Sequence, residues 1–269
     1  MQISFIHSLD QVSAAQWNSL CEGDYPFVRH EFLAALERSG SLGDGWHTQH
    51  LLVHDADELV AALPLYLKTH SYGEYVFDWS WADAYQRYGF RYYPKLVTAV
   101  PFTPCGGPRL LVKDSGSTAA LLPAIVAAIK TRAGELGASG WHCLFPLPEL
   151  SRQLHGQQLA QRQGAQFHWF NRGYGNWDNF VAAMNSRKRK NINKERRMVA
   201  EQGISFIHRT GDEITAADWQ MFYGFYRNTY LKRSGHVGYL TKDFFIQLGE
   251  TCAEHCLLVT AYQQDRAIA

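Results

Sequence analysis

The chain has 269 residues, 46% of them hydrophobic and 14% aromatic, with a formal net charge of +1. That length and composition describe a globular chain with material for one or two cores, and the near-zero net charge argues against a protein that is basic throughout. No basic stretch followed by an apolar one opens the sequence, and the longest apolar run, 119–129, contains Pro123 and is too short to span a bilayer, so a cytoplasmic protein without a membrane span is expected.

In chain order, residues 3–7 read as a strand. Residues 13–21 read as a helix with Trp17 and Leu20 on one face, and 32–38 as a second helix closed by Gly40. Residues 47–54 and 58–67 read as two strands, with Asp55, Ala56 and Asp57 as the hairpin turn between them. Two helices followed by antiparallel strands suit an α/β fold of the acetyltransferase-like kind, though other α/β folds open in the same way.

Residues 72–109 are dense in aromatics interleaved with acids. Asp78 and Asp83 flank Trp79 and Trp81, Tyr85 follows, and Tyr93 and Lys95 precede a Gly106–Gly107 pair set between Pro104 and Pro108 and followed by Arg109. One reading is a strand, a short helix and a strand whose rings fill the core. The other is a small-ligand cleft lined by rings, with two carboxylates for acid–base or amine-orienting work.

Residues 115–137 read as a helix capped by Ser117, with Leu121, Leu122, Ile125, Ile129 and Leu136 on its apolar face. A buried strand over 141–145, a polar helix over 149–163 and another strand over 166–170 complete a scaffold, in which His142 is expected to be a packed residue. A short helix bearing Phe180, Val181 and Met184 then leads to a second helix from an N-cap at Ser186 to Gln202, with Gly203 beyond its end.

The run 186–197 holds seven basic residues and one acidic one. It therefore carries +6 against +1 for the whole chain, which leaves −5 for everything else. Arg187 to Lys190 fall in the first turn of that helix, where the dipole disfavours cations by a few tenths to about one kcal/mol each. A bound phosphate would reverse the sign; a solvated charged face is the plainer reading.

After this run the sequence repeats itself. Ile204 to His208 duplicates Ile3 to His7 letter for letter, Trp219 lies 202 residues after Trp17, residues 242–248 echo 30–36, and 257–259 echo 51–53. Two copies of one unit are expected, with 1–175 the first, 176–203 a basic connection and 204–269 the opening part of the second. On this alignment residue 265 stands opposite Glu58, so the sequence stops inside a strand of a truncated second unit. Five scattered cysteines, Cys21, Cys105, Cys143, Cys252 and Cys256, suit reduced thiols. Cys252, His255 and Cys256 lack the second ligand pair of a zinc site and are read as packing, with no metal expected.

The stretch 77–85, Tyr92 to Lys95 and the proline-flanked Gly106–Gly107 before Arg109 resemble a bacterial family of N-acyltransferases associated with peptidoglycan biosynthesis or recognition and related to the FemABX aminoacyltransferases. The core at 189–194 is similar to the basic helix that precedes the second acetyltransferase-like (GNAT) domain of Fem-type proteins. The resemblance implies a mixed-sheet α/β fold of tandem GNAT-like domains and transfer of an acyl or aminoacyl group to an amine, with a peptidoglycan precursor as acceptor. It implies Asp78, Asp83 and Tyr85 near the chemistry. Trp79, Trp81, Tyr93, Lys95, Arg109, Arg187, Arg189, Asn191 and Lys194 would meet substrate, the last three facing its phosphate-bearing part or a tRNA.

No Gln/Arg-x-x-Gly-x-Gly/Ala loop of the kind that cradles a CoA pyrophosphate is present, so aminoacyl-tRNA is the better supported donor and acyl-CoA the lesser. Two other classes remain: a tRNA- or RNA-binding module using the basic helix, and a precursor-recognising protein without catalysis.

Overall fold

The structure, a computed structural model, describes residues 1–269. Strand β1 (Gln2–Ile6) leads through one 3-10 turn into helices α1 (Ala14–Asn18) and α2 (His30–Arg38). Local chemistry sets each start. Ser8 and Gln11 form a reciprocal capping box, and the Ser13 hydroxyl accepts the Gln16 N–H at the head of α1. Trp17 is wholly buried, and its indole N–H donates to the Val28 carbonyl at 2.8 Å.

The next two strands are not continuous, as 47–54 and 58–67 had been expected to be. β2 (Trp46–Thr48) and β3 (His50–Asp55) break at Gln49, and β4 (Glu58–Leu63) and β5 (Tyr66–Lys68) break at Pro64 and Leu65. Pro64 has no N–H to give the ladder. The Gln49 N–H donates to the Leu65 carbonyl at 2.9 Å and holds the two arms together across the break. This bend sends the halves of one hairpin into different sheets. One has the order β1-β3-β4-β7, with β7 at Leu111–Val112; the other is β2-β5-β6-β8, with β6 at Lys95–Thr98 and β8 at Trp141–Cys143. All neighbours are antiparallel except the parallel pair β6 and β8. The protein is mixed α/β, as its pattern implied.

Helix α3 (Trp79–Arg87) lies between β5 and β6, and α4 (Thr118–Glu135) runs from β7 to β8. Leu122, Ile125, Val126 and Ile129 of α4 share a core with Leu51, Val53, Ala61 and Leu63 of the first sheet. Helix α5 (Pro148–Gly156) ends short of residue 163. Residues 157–175 carry no helix or strand, so the strand expected at 166–170 is absent; that stretch has no pairing partner and its side chains are exposed.

Helices α6 (Trp177–Ala182) and α7 (Ser186–Glu201) follow. Asn185 rather than Ser186 caps α7, its side-chain oxygen accepting the Lys188 N–H at 2.9 Å. The chain then runs through β9 (Ile204–Thr210), a 3-10 turn boxed by Thr210 and Glu213, α8 (Ala216–Ser234), α9 (Lys242–Thr251), β10 (Leu257–Gln263) and β11 (Arg266–Ala267). This order matches β1, turn, α1, α2, β3, β4, with the same antiparallel pairings. The hairpin turns match as well: Ala56 (φ 50°) and Gln264 (φ 54°) are both left-handed. In that register Arg266, not residue 265, stands where Glu58 does. Helices α2 and α9 pack on each other, and a single core joins Leu33 and Leu36 to Trp219, Phe244 and Leu258.

Candidate functional site: an inter-unit cleft backed by a buried charge cluster

A cleft of 690 Å³ lies where the two paths meet. From the N-terminal side of the chain come the loop 40–46, His70, Tyr72 and Phe102, and from the C-terminal side Ser234, His236, Gly238 and Tyr239. The Phe102 and Tyr239 rings stack across the junction at 4.9 Å and 14°. Glycines let this wall close up. Gly73 has φ +82°, and a Cβ there would lie 2.6 Å from the Phe102 ring; a Cβ on Gly45 would lie 2.2 Å from the His70 imidazole.

Two imidazoles on the cleft wall can donate an N–H, whereas the Trp46 indole nitrogen is shut away from solvent. Trp46 is buried, and its indole N–H has no partner. His70 Nδ1 accepts the Tyr72 N–H at 3.2 Å, and His236 Nδ1 accepts the Gly238 N–H at 3.0 Å. A neutral ring with Nδ1 so engaged carries its proton on Nε2 and can donate from there. Burial, and then the neighbouring Lys68 charge, hold His70 below the ordinary histidine range, so it is neutral at pH 7.

Behind Tyr72 lies a buried set of charges. Lys68 Nζ donates to the Tyr72 carbonyl at 3.1 Å and sits 3.9 Å over the Trp46 ring. Lys95 Nζ donates to Ser71 Oγ at 2.9 Å, Glu74 Oε2 at 2.8 Å and Asp78 Oδ2 at 2.6 Å. The Tyr92 hydroxyl donates to the same Asp78 oxygen at 2.5 Å.

Lys68, Glu74, Asp78 and Lys95 are all enclosed, and their titration follows from how well each is paired. Burial, helped by the Lys95 charge, pulls Lys68 down to about 7. Burial pushes on Asp78 from the other side, but hydrogen bonds from Lys95, Ser71 and Tyr92 outweigh it and hold the carboxyl at about 2. Glu74 shares the same ammonium without that extra help, so burial wins and raises it. Burial and then the Lys95 charge bring His142 down to about 4, in keeping with a packed residue.

The residues singled out from sequence separate into three places. Asp78 belongs to the buried cluster and immediately precedes α3. Asp83 and Trp81 are exposed on α3, Asp83 without a hydrogen bond or ion pair, while Tyr85 packs on Tyr92 at 5.1 Å. Trp79 is 42% exposed and rests on Tyr72 at 5.1 Å, extending the aromatic wall of the cleft.

Lys95 and Arg109, expected on substrate, reach no solvent. The Arg109 guanidinium is used up by three backbone carbonyls, those of Leu144 (2.8 Å), Pro108 (2.9 Å) and Cys105 (2.6 Å), so it braces the Gly-Gly turn against the end of β8. Tyr93 is half-buried and bonds Ser71 at 2.8 Å. Arg187, Arg189, Asn191 and Lys194 are exposed on α7, and none lines the cleft. Sequence reasoning missed Trp46, His70, His236 and Tyr239. A ring at a strand's first residue, as Trp46 is, or alone in a loop carries no periodic signal, and only the glycines nearby mark a close approach.

Fold and site together define a mixed α/β protein with a ligand-sized cleft between two βααββ paths. Residues 8–269 match the FemAB-like family, described as peptidoglycan biosynthesis/recognition, and the chain belongs to that family. No curated protein matches the sequence. Among solved structures, an aminoglycoside 6′-N-acetyltransferase from Acinetobacter haemolyticus is similar at 11% identity, covering 64% of this chain and 98% of its own, with a TM-score of 0.36. A second such enzyme, from Acinetobacter baumannii, gives 16%, 64%, 97% and 0.35. A ribosomal-protein-alanine N-acetyltransferase from Brucella melitensis biovar Abortus 2308 gives 14%, 63%, 97% and 0.35. Superpositions that loose carry no activity across. No helix is long and apolar enough to cross a membrane.

Proposed function

We propose that the chain is an N-acyl- or aminoacyltransferase that acts on an amine of a peptidoglycan precursor in the cleft between two acetyltransferase-like units, residues 1–175 and 204–269, joined by 176–203. Family membership supports the substrate class. The observation that carries the reaction is the pair of imidazoles on the cleft wall, His70 and His236, whose Nδ1 atoms are already engaged, which leaves Nε2 to donate. When an amine lone pair attacks an ester or thioester carbonyl, the carbonyl oxygen becomes an oxyanion, and fixed N–H donors stabilise it most where water is excluded. The carbon–oxygen or carbon–sulfur bond to the carrier then breaks, and the amine proton leaves with the carrier or to solvent.

In this reading Asp78 is a positioning residue, held by Lys95 so that Tyr72 and Trp79 keep their places. Asp83, Tyr85 and Trp81 line the approach along α3. The carrier is an aminoacyl-tRNA or an acyl-CoA. Incubating the protein with muropeptide amines and a panel of both carriers, with mass detection of the acceptor, tests the reading. Transfer that falls at least tenfold in His70→Gln supports it. Muropeptide binding without consumption of any carrier replaces it with recognition alone.

A further inference from the structure

The sheet β11-β10-β9 is covered on one side only. Side chains alternate along a strand, so the pairing tells which residues share a face. Leu258 and Thr260 are buried, and Leu258 shares a core with Trp219 and Phe244. Arg209, opposite Leu258, pairs with Asp218 of α8 at 3.2 Å. That is the inner face. Leu257, Val259 and Ala261 belong to the outer one, where Phe206 on β9 stands opposite Ala261. On the other side of Ala261 lies Ile268, whose N–H donates to the Ala261 carbonyl at 2.9 Å. Leu257, Val259, Phe206 and Ile268 are 64%, 46%, 55% and 38% exposed.

The first sheet shows what such a face takes. Ile3 and Phe5 are the counterparts of Ile204 and Phe206 in the repeated pentamer, and Leu51 and Val53 those of Leu257 and Val259. Leu51 and Val53 reach no solvent, because they pack with Leu122, Ile125, Val126 and Ile129 of α4. Those four are spaced i, i+3, i+4 and i+7, one stripe of a helix. Nearly a turn further on, the Arg132 guanidinium lies 5.3 Å over the Phe5 ring. The same kinds of side chain thus meet a helix on one sheet and water on the other. An apolar sheet face is stable when another element covers it, and a contiguous one left open marks a place of interaction.

We propose that the outer face of β9, β10 and β11 docks an amphipathic helix of a second polypeptide, in the way that α4 covers the first sheet. That helix carries Leu, Ile or Val at i, i+3, i+4 and i+7, with a Lys or Arg about one turn beyond them to lie over the Phe206 ring. A second copy of this chain is the less suited occupant, since it would offer sheet to sheet where the chain's own precedent is a helix. This surface is independent of the acyl-transfer reading, and either can fail alone.

A fluorescently labelled peptide of residues 118–135 carries such a stripe and serves as the probe, with anisotropy reporting its binding to the whole protein. Saturable binding is expected. It should weaken roughly tenfold or more in Phe206→Asp and in Val259→Asp, which place a charge in the apolar contact. Circular dichroism and melting temperature check that both variants fold, and Leu257→Ser, at the most exposed of these positions, replaces any that does not. A peptide of the same composition with the stripe scrambled should bind roughly tenfold more weakly as well. Absence of binding, equal binding of the two peptides, or unchanged binding by the folded variants overturns the proposal. So does sedimentation velocity that finds the protein dimeric and its Phe206→Asp variant monomeric, which would give the face to a second copy.

Discussion

Phe32 and Phe244 meet edge to face, their ring centroids 5.7 Å apart and their planes at 89°. Each occupies the same place in its own βααββ path, in the helix before the returning hairpin, so the two paths touch through like surfaces, as in an isologous dimer interface. Thr241 adds polar contact beside them: its N–H donates to Ser41 Oγ at 3.0 Å and its hydroxyl to the Ser39 carbonyl at 3.1 Å. The cleft exists because this contact fixes one unit against the other.

Phe244→Ala should therefore destabilise the protein by about 3–5 kcal/mol. Because Phe32 and Phe244 touch, the double alanine variant should cost less than the sum of the singles. Urea unfolding of the four proteins gives the coupling; strict additivity would mean that the units are held elsewhere.

Lys95 is the centre of the buried cluster, and its removal strands two carboxylates. Lys95→Met should cost about 3–5 kcal/mol, the usual penalty for uncovering a buried charge. Adding Asp78→Asn and Glu74→Gln should recover part of the loss, because the charges left unpaired are then gone. Denaturant titration checks both steps, and a near-neutral single variant would show that water reaches the site.

How far this was legible in the sequence depends on the kind of signal. Helix 118–135 was visible from its apolar spacing, although Ser117 does not cap it as expected, its hydroxyl donating to the Asp114 carbonyl instead; 216–234 has a true cap at Thr215. The repeat was visible because ISFIH recurs, and both copies start a strand antiparallel to a later one, although His7 lies outside its strand and His208 within its own. The break at Gln49 was not visible, since it depends on Pro64 across the hairpin. Nor was the fate of Arg109: a basic residue after Gly-Gly looks like a ligand contact until three carbonyls are brought to it. The cleft was missed altogether because its rings come from four separate loops. The aromatic run at 77–85 did point to its neighbour α3, although Asp78 proved to face inward.

Lys68 gives a pH dependence of definite sign. Unfolded, it holds its proton to about pH 10.5; folded among Glu74, Lys95 and Asp78, it lets go near 7. Between those values the unfolded chain binds more protons, so this group's contribution to stability rises with pH from 7 towards 10.5. The advantage of Lys68→Met over the wild type should accordingly shrink across that range in urea titrations, and a difference independent of pH would contradict the assignment. Asp78 acts at the acid end. Its folded value lies below its unfolded one, so its contribution is present above pH 3.8 and lost as pH falls towards 2.

Gly73 ties the charge cluster to the cleft. Its φ of +82° is a conformation that side chains rarely adopt, and an added Cβ would strike the Phe102 ring at 2.6 Å. Strain of this kind costs about 1–3 kcal/mol. Phe102 cannot retreat freely, because it stacks on Tyr239 from the other unit. Gly73→Ala should therefore displace the ring into the cleft and reduce substrate binding by more than its modest loss of thermal stability accounts for. Phe102→Ala in the same protein makes room for the methyl group and should restore binding in part, leaving only the backbone strain. Muropeptide affinity and melting temperature, measured on the single and double variants, separate the two effects. If the double variant binds no better than Gly73→Ala, the Phe102 ring is not the wall that substrate meets.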